Sequence, residues 1–243
     1  MTPQLEAVAA LFNPAPSISV VPITAERVCV VVDNALLDPE ALVDWAATQA
    51  FEPPRGYPYP GLVLGTPAAI TQRVGDFFAL HARSRIGARR TLDVVARLSL
   101  VTVPPAELAP IQWQCHRDQL AVEPDKVLFA ASVLYLFRNP ALGGTSFYKP
   151  LQPEAQIKRM TGDSESLTAA DFSARYGLRA GYMVGSNPYF EHAARVPAAW
   201  NRMIFYNGGL FHSADIDASA LSADPRAGRL TLNGFYTCRR NAQ

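Results

Sequence analysis

The sequence predicts a mainly β fold with flanking helices, namely a jelly roll (double-stranded β-helix) with N-terminal helices packed outside. Three observations indicate this fold. Two helical patterns lie within the first 93 residues, short runs rich in β-branched and aromatic residues follow from residue 94, and a helical stretch at 153–199 interrupts those runs. Hydrophobic residues make up 49% of the 243 positions, which is enough for a sizeable core.

The N-terminal region supplies supporting elements. Residues 27–33 predict a buried strand, because the run is short, continuous and β-branched. Residues 38–49 predict a helix with Asp38 as its N-cap, and residues 68–87 predict a second, amphipathic helix. The proline-rich stretch 52–61 between these helices predicts an ordered loop or a lid.

The remaining elements form the predicted core. Runs that fit strands are 94–103, 111–119, 127–137, 145–151, 201–209 and 229–238. Within the interruption, 153–160 and 168–177 fit helices and 186–192 fits a loop. We therefore expect a single domain over residues 1–243, with a support region at 1–93, a jelly-roll core at 94–238 and an insertion at 153–199.

Composition excludes several classes of function. The net charge of +1 argues against nucleic-acid binding, which requires a strong basic excess. No apolar run of 18 residues occurs, so we expect no membrane span, and residues 1–17 lack the basic start and apolar core of a signal peptide. These features predict a cytoplasmic protein. Three distant cysteines imply no disulfide framework.

His116 and Asp118, separated by one arginine, are the clearest chemical feature of the sequence. Residues two apart in a strand share a face, so this spacing presents an imidazole nitrogen and a carboxylate to one point. A histidine from a neighbouring strand would complete a two-histidine, one-carboxylate triad, which leaves positions open on Fe(II). Cys115 is expected to point the other way, because adjacent strand residues face opposite sides.

Four segments, in this order, resemble the Fe(II)- and 2-oxoglutarate-dependent oxygenases, and within them the prolyl-4-hydroxylase-like branch. The segments are IQWQCHRD at 111–118, VLYLFRNPALGGTSFY at 133–148, NRMIFYNGGLFHSADI at 201–216 and GRLTLNGFYTC at 228–238. The pattern also resembles the uncharacterised DUF6445 family. The resemblance covers residues 101–238 and implies the jelly-roll fold of these oxygenases.

The resemblance implies a metal centre formed by His116, Asp118 and His212, which match the family's metal-binding positions. His212 follows an apolar run and therefore sits at a strand end, where a ligand at the rim belongs. The long separation of His212 from the other two is explained by the insertion. Because the carboxylate position is filled, the resemblance implies a hydroxylase rather than a halogenase.

The resemblance further implies that Arg229 binds the distal carboxylate of 2-oxoglutarate. A guanidinium fork suits a carboxylate and stays charged when buried. Thr231 shares the strand face of Arg229, and Tyr135 matches the tyrosine that donates to the same carboxylate. Gly143 and Gly144 fit a tight turn that requires positive φ.

Other residues compete for these roles. His192 is the rival for the distal metal ligand, although it lies outside any clear strand pattern. Tyr135 equally fits a core tyrosine whose hydroxyl meets a backbone partner. The rivals to Arg229 are Arg226, Arg239 and Arg240. Further candidates for lining the pocket are Asn201, Arg202, Tyr206 and Asn207.

The implied function is hydroxylation of a peptidyl, amino-acid-like or other small-molecule substrate with Fe(II), 2-oxoglutarate and O2. Two other classes stay open. One is a jelly-roll binding or regulatory module that keeps the metal site without turnover, and the other is a cupin-like metal enzyme that needs no co-substrate. Arg229 favours the oxygenase, because burying its charge with no anion to hold would be costly.

Overall fold

The computed structural model describes residues 12–118, 125–216 and 221–240. The first 11 residues, on which part of the localisation prediction depends, lie outside these ranges. The strands are Ser17–Pro22 (β1), Val28–Asp33 (β2), Gly61–Gly65 (β3), Ala88–Val101 (β4), Val127–Tyr135 (β5), Thr145–Pro150 (β6), Phe190–Val196 (β7), Arg202–Asn207 (β8), Phe211–Ala214 (β9) and Arg229–Arg240 (β10). The α-helices are Pro39–Ala46 (α1), Ala68–His81 (α2), Glu154–Ser166 (α3) and Ala169–Tyr176 (α4).

The strands form two antiparallel sheets. The larger sheet has the order β1-β2-β8-β5-β10-β4-β3, and the smaller has the order β7-β6-β9. From β5 onward the chain passes back and forth between them: β5, β8 and β10 join the larger sheet, while β6, β7 and β9 join the smaller. This alternation is the topology of a double-stranded β-helix, so the predicted jelly roll is confirmed.

The central strands of the larger sheet are buried on both faces. Val30 and Phe205 face the helices, where they join one hydrophobic cluster. Val31 and Ile204, their neighbours in the chain, face the space between the sheets and join a second cluster. Two covered faces explain why these strands are continuous apolar runs instead of alternating ones.

The N-terminal helices cover the outer face of the larger sheet. In α1, the Asp38 carboxylate accepts a hydrogen bond from the Ala41 amide at 3.1 Å, which confirms the predicted N-cap. In α2, Phe78 stacks on Tyr236 of β10 with ring centroids 3.9 Å apart. No helix in the described ranges is long and apolar enough to cross a membrane.

Two sequence predictions are wrong in detail. The run 111–119 is not a continuous strand: a 3-10 turn ends at Gln112, and His116 alone forms a β-bridge. The predicted loop 186–192 ends inside β7, which pairs with β6 and completes the smaller sheet. The two predicted helices in this region are confirmed as α3 and α4. The insertion predicted at 153–199 therefore ends before Phe190, where β7 begins.

The turn before β6 depends on Gly143. Its φ is +69°, as predicted, and a Cβ atom there would lie 1.4 Å from the Asp215 carbonyl oxygen. Gly144 has no such φ, but a Cβ there would lie 2.1 Å from the Val196 carbonyl oxygen. Both glycines therefore allow close contact between backbones, and only Gly143 also supplies a left-handed conformation.

Replacing Gly143 by alanine should destabilise the protein by about 3 kcal/mol or more, since strained backbone and overpacking each cost about 1–3 kcal/mol. Gly177→Ala is the matched control: its φ is +66°, but nothing lies within 4 Å of the added carbon. That control should lose only about 1 kcal/mol from backbone strain. Urea unfolding of both variants checks this, and equal losses would show that the Asp215 contact is unimportant.

Candidate metal and co-substrate site

The structure brings His116, Asp118 and His212 together. One ligand atom from each residue lies within 4.8 Å of the others. His116 Nε2 is 3.8 Å and His212 Nε2 is 3.5 Å from Asp118 Oδ1. Among the described residues, this is the one group of histidine, cysteine and carboxylate side chains with such spacing.

Main-chain pairing places these three side chains. His116 and His212 form an antiparallel bridge, with mutual N–H to carbonyl distances of 3.0 and 2.9 Å. Their rings consequently lie side by side, with centroids 4.6 Å apart. The Asp118 amide donates to the Gly208 carbonyl at 2.9 Å, which fixes the carboxylate next to the turn between β8 and β9. Cys115 packs in a separate hydrophobic cluster, as predicted.

The tautomer of His212 follows from its neighbour. His212 Nδ1 lies 2.8 Å from the Leu210 carbonyl oxygen, which can only accept a hydrogen bond. Nδ1 therefore carries a proton, and Nε2, the nitrogen that faces Asp118, is the one that would bind a metal. Fixing the ring through the nitrogen that does not bind metal is the usual arrangement for a histidine ligand.

The Asp118 carboxylate has room for a cation. Its Oδ2 atom is buried and has no hydrogen-bond partner among the described residues. A Cβ atom at Gly208 would lie 3.0 Å from that oxygen, so the glycine leaves it space. A carboxylate with one oxygen next to two imidazole nitrogens, and the other oxygen buried without a partner among the described residues, fits a divalent metal such as Fe(II).

The charges in the site favour an ionised carboxylate. Burial raises the pKa of Asp118, but the positive charges of His212, His116 and Arg97 outweigh it and lower the pKa overall. Burial lowers the pKa of His212, but the Asp118 carboxylate outweighs it and raises the pKa overall. Desolvation of the His116 ring, followed by the charge of His212, lowers the pKa of His116.

Arg229 lies at the start of β10 and is 4% exposed. Its Nε donates to the Leu142 carbonyl at 2.8 Å, and its Nη2 donates to the Gly144 carbonyl at 3.1 Å. Nη1 makes no hydrogen bond to any described residue, so one edge of the guanidinium stays available. These neutral carbonyls orient the side chain, and its positive charge has no counter-ion among the described residues.

Tyr135 and Thr231 lie near Arg229 as expected. The Arg229 Cζ atom is 6.0 Å from the centroid of the Tyr135 ring. Tyr135 is fully buried, and its hydroxyl lies 2.8 Å from Thr145 Oγ1, so its partner is a side chain and not the backbone. Thr231 pairs with Tyr135 across the strands, and its hydroxyl contacts the Ser99 carbonyl at 3.5 Å.

Tyr206 packs against the candidate metal ligands. Its ring centroid is 4.7 Å from that of His212. Burial raises the pKa of Tyr206, the Asp118 and Tyr135 charges raise it further, and the charge of Arg229 lowers it.

Of the four residues that the sequence offered as lining the pocket, only Tyr206 lies next to the three converging side chains. Asn201 caps the Leu36 backbone, Arg202 pairs with Asp33, and Asn207 accepts from the Gly209 amide.

Two residues that the sequence analysis did not select also face this interior. Tyr59 Oη and Arg97 Nε are both buried without a hydrogen-bond partner among the described residues. Burial raises the pKa of Tyr59 to about 12, while the charges of Arg229 and Arg97 lower it. The alternation of β4 could have identified Arg97, because Leu98 and Leu100 occupy one face of the strand and Arg97 therefore occupies the other. No local pattern marks Tyr59, which lies in the loop before β3.

The rival residues lie elsewhere. His192 Nε2 contacts Ser146 Oγ at 3.3 Å and is outside the metal group. Arg226 forms an exposed ion pair with Asp44, and Arg240 contacts the Val127 carbonyl at the far end of β10. Two open depressions, of about 550 and 520 Å³, also lie away from the three converging side chains.

Comparison with known proteins gives a family and several similar structures. The model of DUF6445, described as a family of unknown function, matches residues 14–236. No protein of curated function matches the chain.

HygX from Streptomyces hygroscopicus, solved with nickel and 2-oxoglutarate bound, has a TM-score of 0.49 and 11% identity, over 97% of this chain and 86% of that one. AviO1 from Streptomyces viridochromogenes Tue57 has a TM-score of 0.40 and 14% identity, over 97% and 96% of the two chains. SnoK, a non-haem α-ketoglutarate-dependent carbocyclase from nogalamycin biosynthesis, has a TM-score of 0.45 and 12% identity, over 88% and 80%.

Proposed function

This chain belongs to the DUF6445 family, and from that premise we propose that it is a non-haem Fe(II)- and 2-oxoglutarate-dependent oxygenase. The observation that carries the proposal is the convergence of the His116 and His212 imidazoles on Oδ1 of the Asp118 carboxylate, whose other oxygen is buried without a partner among the described residues. This donor set leaves coordination positions for a bidentate oxo-acid and O2. The prolyl-4-hydroxylase-like branch stays a prediction.

When bound, Fe(II) and 2-oxoglutarate would supply the electrons that activate O2, the oxidant: one oxygen atom would enter succinate as CO2 is released, and the other would go to the substrate. The chain itself would bind and orient the reactants. His116, Asp118 and His212 would hold the metal. Arg229 would bind the distal carboxylate through its available edge, which the Leu142 and Gly144 carbonyls keep in a fixed direction.

The interior around these residues would also exclude water. Tyr135, Phe147 and Tyr206 are all nearly inaccessible to solvent, and the ring of Phe147 lies 5.1 Å from that of Tyr206. Aromatic walls next to the ligands lower the local dielectric and strengthen each charged contact. We expect hydroxylation of a peptidyl or amino-acid-like substrate, on the grounds of the family resemblance.

One observation favours a second candidate, a binding or regulatory module that keeps the metal without turnover. Arg229 already donates to the Leu142 and Gly144 carbonyls, so it has a structural role even without an anion. The guanidinium therefore does not need an anion to satisfy all of its hydrogen bonds. Its positive charge still favours one, because neutral carbonyls solvate that charge only in part.

Succinate formation separates the two candidates. The oxygenase should convert 2-oxoglutarate to succinate in air, slowly without substrate and faster with the correct one, and only when Fe(II) is present. A binding module should take up Fe(II) without producing succinate. The control is the same protein loaded with Zn(II), which does not exchange electrons with O2. Succinate that forms equally with Zn(II) would contradict the proposal.

A further inference from the structure

Arg97 occupies the middle of β4, on the face directed toward the metal site. It pairs with Asn233 of β10 on one side and with Gly65 of β3 on the other. Its neighbours Leu98 and Ala96 belong to the cluster beneath the helices, so Arg97 projects from the opposite face, into the jelly-roll interior. This is the face that also carries Arg229 and Thr231 on β10.

Aromatic rings surround the Arg97 guanidinium. Its Cζ atom lies 4.1 Å from the centroid of the Tyr57 ring, 4.7 Å from that of Phe235 and 6.0 Å from that of Tyr59. Rings over the faces of a guanidinium hold it by cation–π attraction and remove water from those faces. The N–H groups lie in the guanidinium plane and therefore point between the rings, where a ligand can accept hydrogen bonds from them.

The charge of Arg97 has no ion-pair partner in the described part of the chain. Its Nε is buried and makes no hydrogen bond there. A partly buried cation held against aromatic rings, with no counter-charge among the described side chains, costs free energy unless an anion binds.

The wall beyond Arg97 is apolar. Phe235 pairs across the strands with Val95, which is 54% exposed although it lies on the interior face of β4. Exposed apolar surface next to a cation fits a ligand that combines an acidic group with an apolar body. Arg229, by contrast, is nearly fully buried, at 4% exposure, with its Cζ atom 6.0 Å from the centroid of the Tyr135 ring.

We propose that Arg97 binds an acidic group, a carboxylate or its equivalent, on the primary substrate, so that substrates of this chain are anions with an apolar body. This inference rests on the proposed function, because it assigns a substrate class to the same site. Two arginines on one interior face would then hold two different acids. Arg229 would bind the co-substrate, and Arg97 would bind the molecule that is oxidised.

The test uses phenylacetate and its uncharged analogue phenylacetamide as probes. Each is titrated by calorimetry into the full chain loaded with Ni(II), with and without 2-oxoglutarate, so that no turnover is needed. Wild type should bind the acid at least about tenfold more tightly than the amide, since a hydrogen bond to a charged group contributes about that much. Arg97→Gln should lose this preference and keep its affinity for 2-oxoglutarate.

Arg138→Gln is the matched control, because Arg138 lies 4.1 Å over the Trp200 ring, outside the site. It should behave as wild type does. Arg97→Lys should retain part of the preference, which separates lost charge from lost folding, and the melting temperature of each variant is measured alongside.

An unchanged preference in Arg97→Gln, or no preference in wild type, would overturn the inference. A loss of 2-oxoglutarate affinity in Arg97→Gln would also overturn it, since Arg97 would then hold the co-substrate. If wild type fails to bind 2-oxoglutarate at all, the proposed function fails. Even in that case, the Arg97 inference would still be supported if the Ni(II)-loaded wild type bound phenylacetate more tightly than phenylacetamide and Arg97→Gln did not.

Discussion

Asp118→Ala is expected to abolish Fe(II)-dependent turnover of 2-oxoglutarate while the protein stays folded. The variant removes the one carboxylate of the candidate metal group and leaves both histidines in place. Removing a residue that only orients a metal ligand already lowers metal affinity by about ten- to a hundredfold. Because Asp118 would itself be a ligand, iron affinity should fall by more than about a hundredfold. The fold should persist, since the side chain sits at the end of the sheets and fills no part of a hydrophobic cluster.

Iron affinity, succinate formation and melting temperature are measured together on this variant. Glu154→Gln is the matched control, because it removes a nearby carboxylate that pairs with Arg117 and contacts no metal-site atom. The control should keep wild-type iron affinity and turnover. Turnover at the wild-type rate in Asp118→Ala would remove this residue from the metal site.

Arg229→Ala is expected to weaken 2-oxoglutarate binding by about tenfold to a hundredfold. Hydrogen bonds to a charged group contribute about 1.5–3 kcal/mol, and about 1.4 kcal/mol corresponds to one factor of ten. Metal affinity should change little, because Arg229 supplies no ligand. The variant should also lose about 1–3 kcal/mol of unfolding free energy, since the Leu142 and Gly144 carbonyls would be left unpaired.

Two further variants separate binding from stability. Arg229→Lys should recover part of the affinity, because lysine supplies the charge without the planar fork. Arg202→Ala is the matched structural control: Arg202 also donates to a backbone carbonyl, that of Pro197, and pairs with Asp33. This control should lose stability and keep its affinity for 2-oxoglutarate. Equal affinities in wild type and Arg229→Ala would shift the account to the binding module.

Much of the fold could be predicted because both faces of the central strands are buried. Continuous apolar runs mark β2, β5 and β8 wherever they lie in the chain, and turn residues separate them. The strand β7 could not be predicted in the same way. Its residues are mostly half-exposed, with the burial pattern of an edge strand, and its pairing with β6 spans about forty residues of chain that no local pattern connects.

The convergence of His116 and Asp118 was predicted for a reason that the structure revises. The expected strand around His116 and Asp118 is reduced to one bridge, yet the two side chains converge because His212 and Gly208 hold their backbones. Arg97 was missed, because a single charge within a run of buried strand residues gives no indication of its partners. Only the spatial order of the strands places Arg97 beside β10 and the metal group.

The central claim is that one site holds both a metal and 2-oxoglutarate. Its most direct test is an anaerobic titration of 2-oxoglutarate into the Fe(II)-loaded wild-type chain, followed by absorption spectroscopy. The account predicts a metal-to-ligand charge-transfer band that saturates with 2-oxoglutarate and is missing in Asp118→Ala. Iron that binds without any such band, at 2-oxoglutarate concentrations well above that of the protein, would contradict the account.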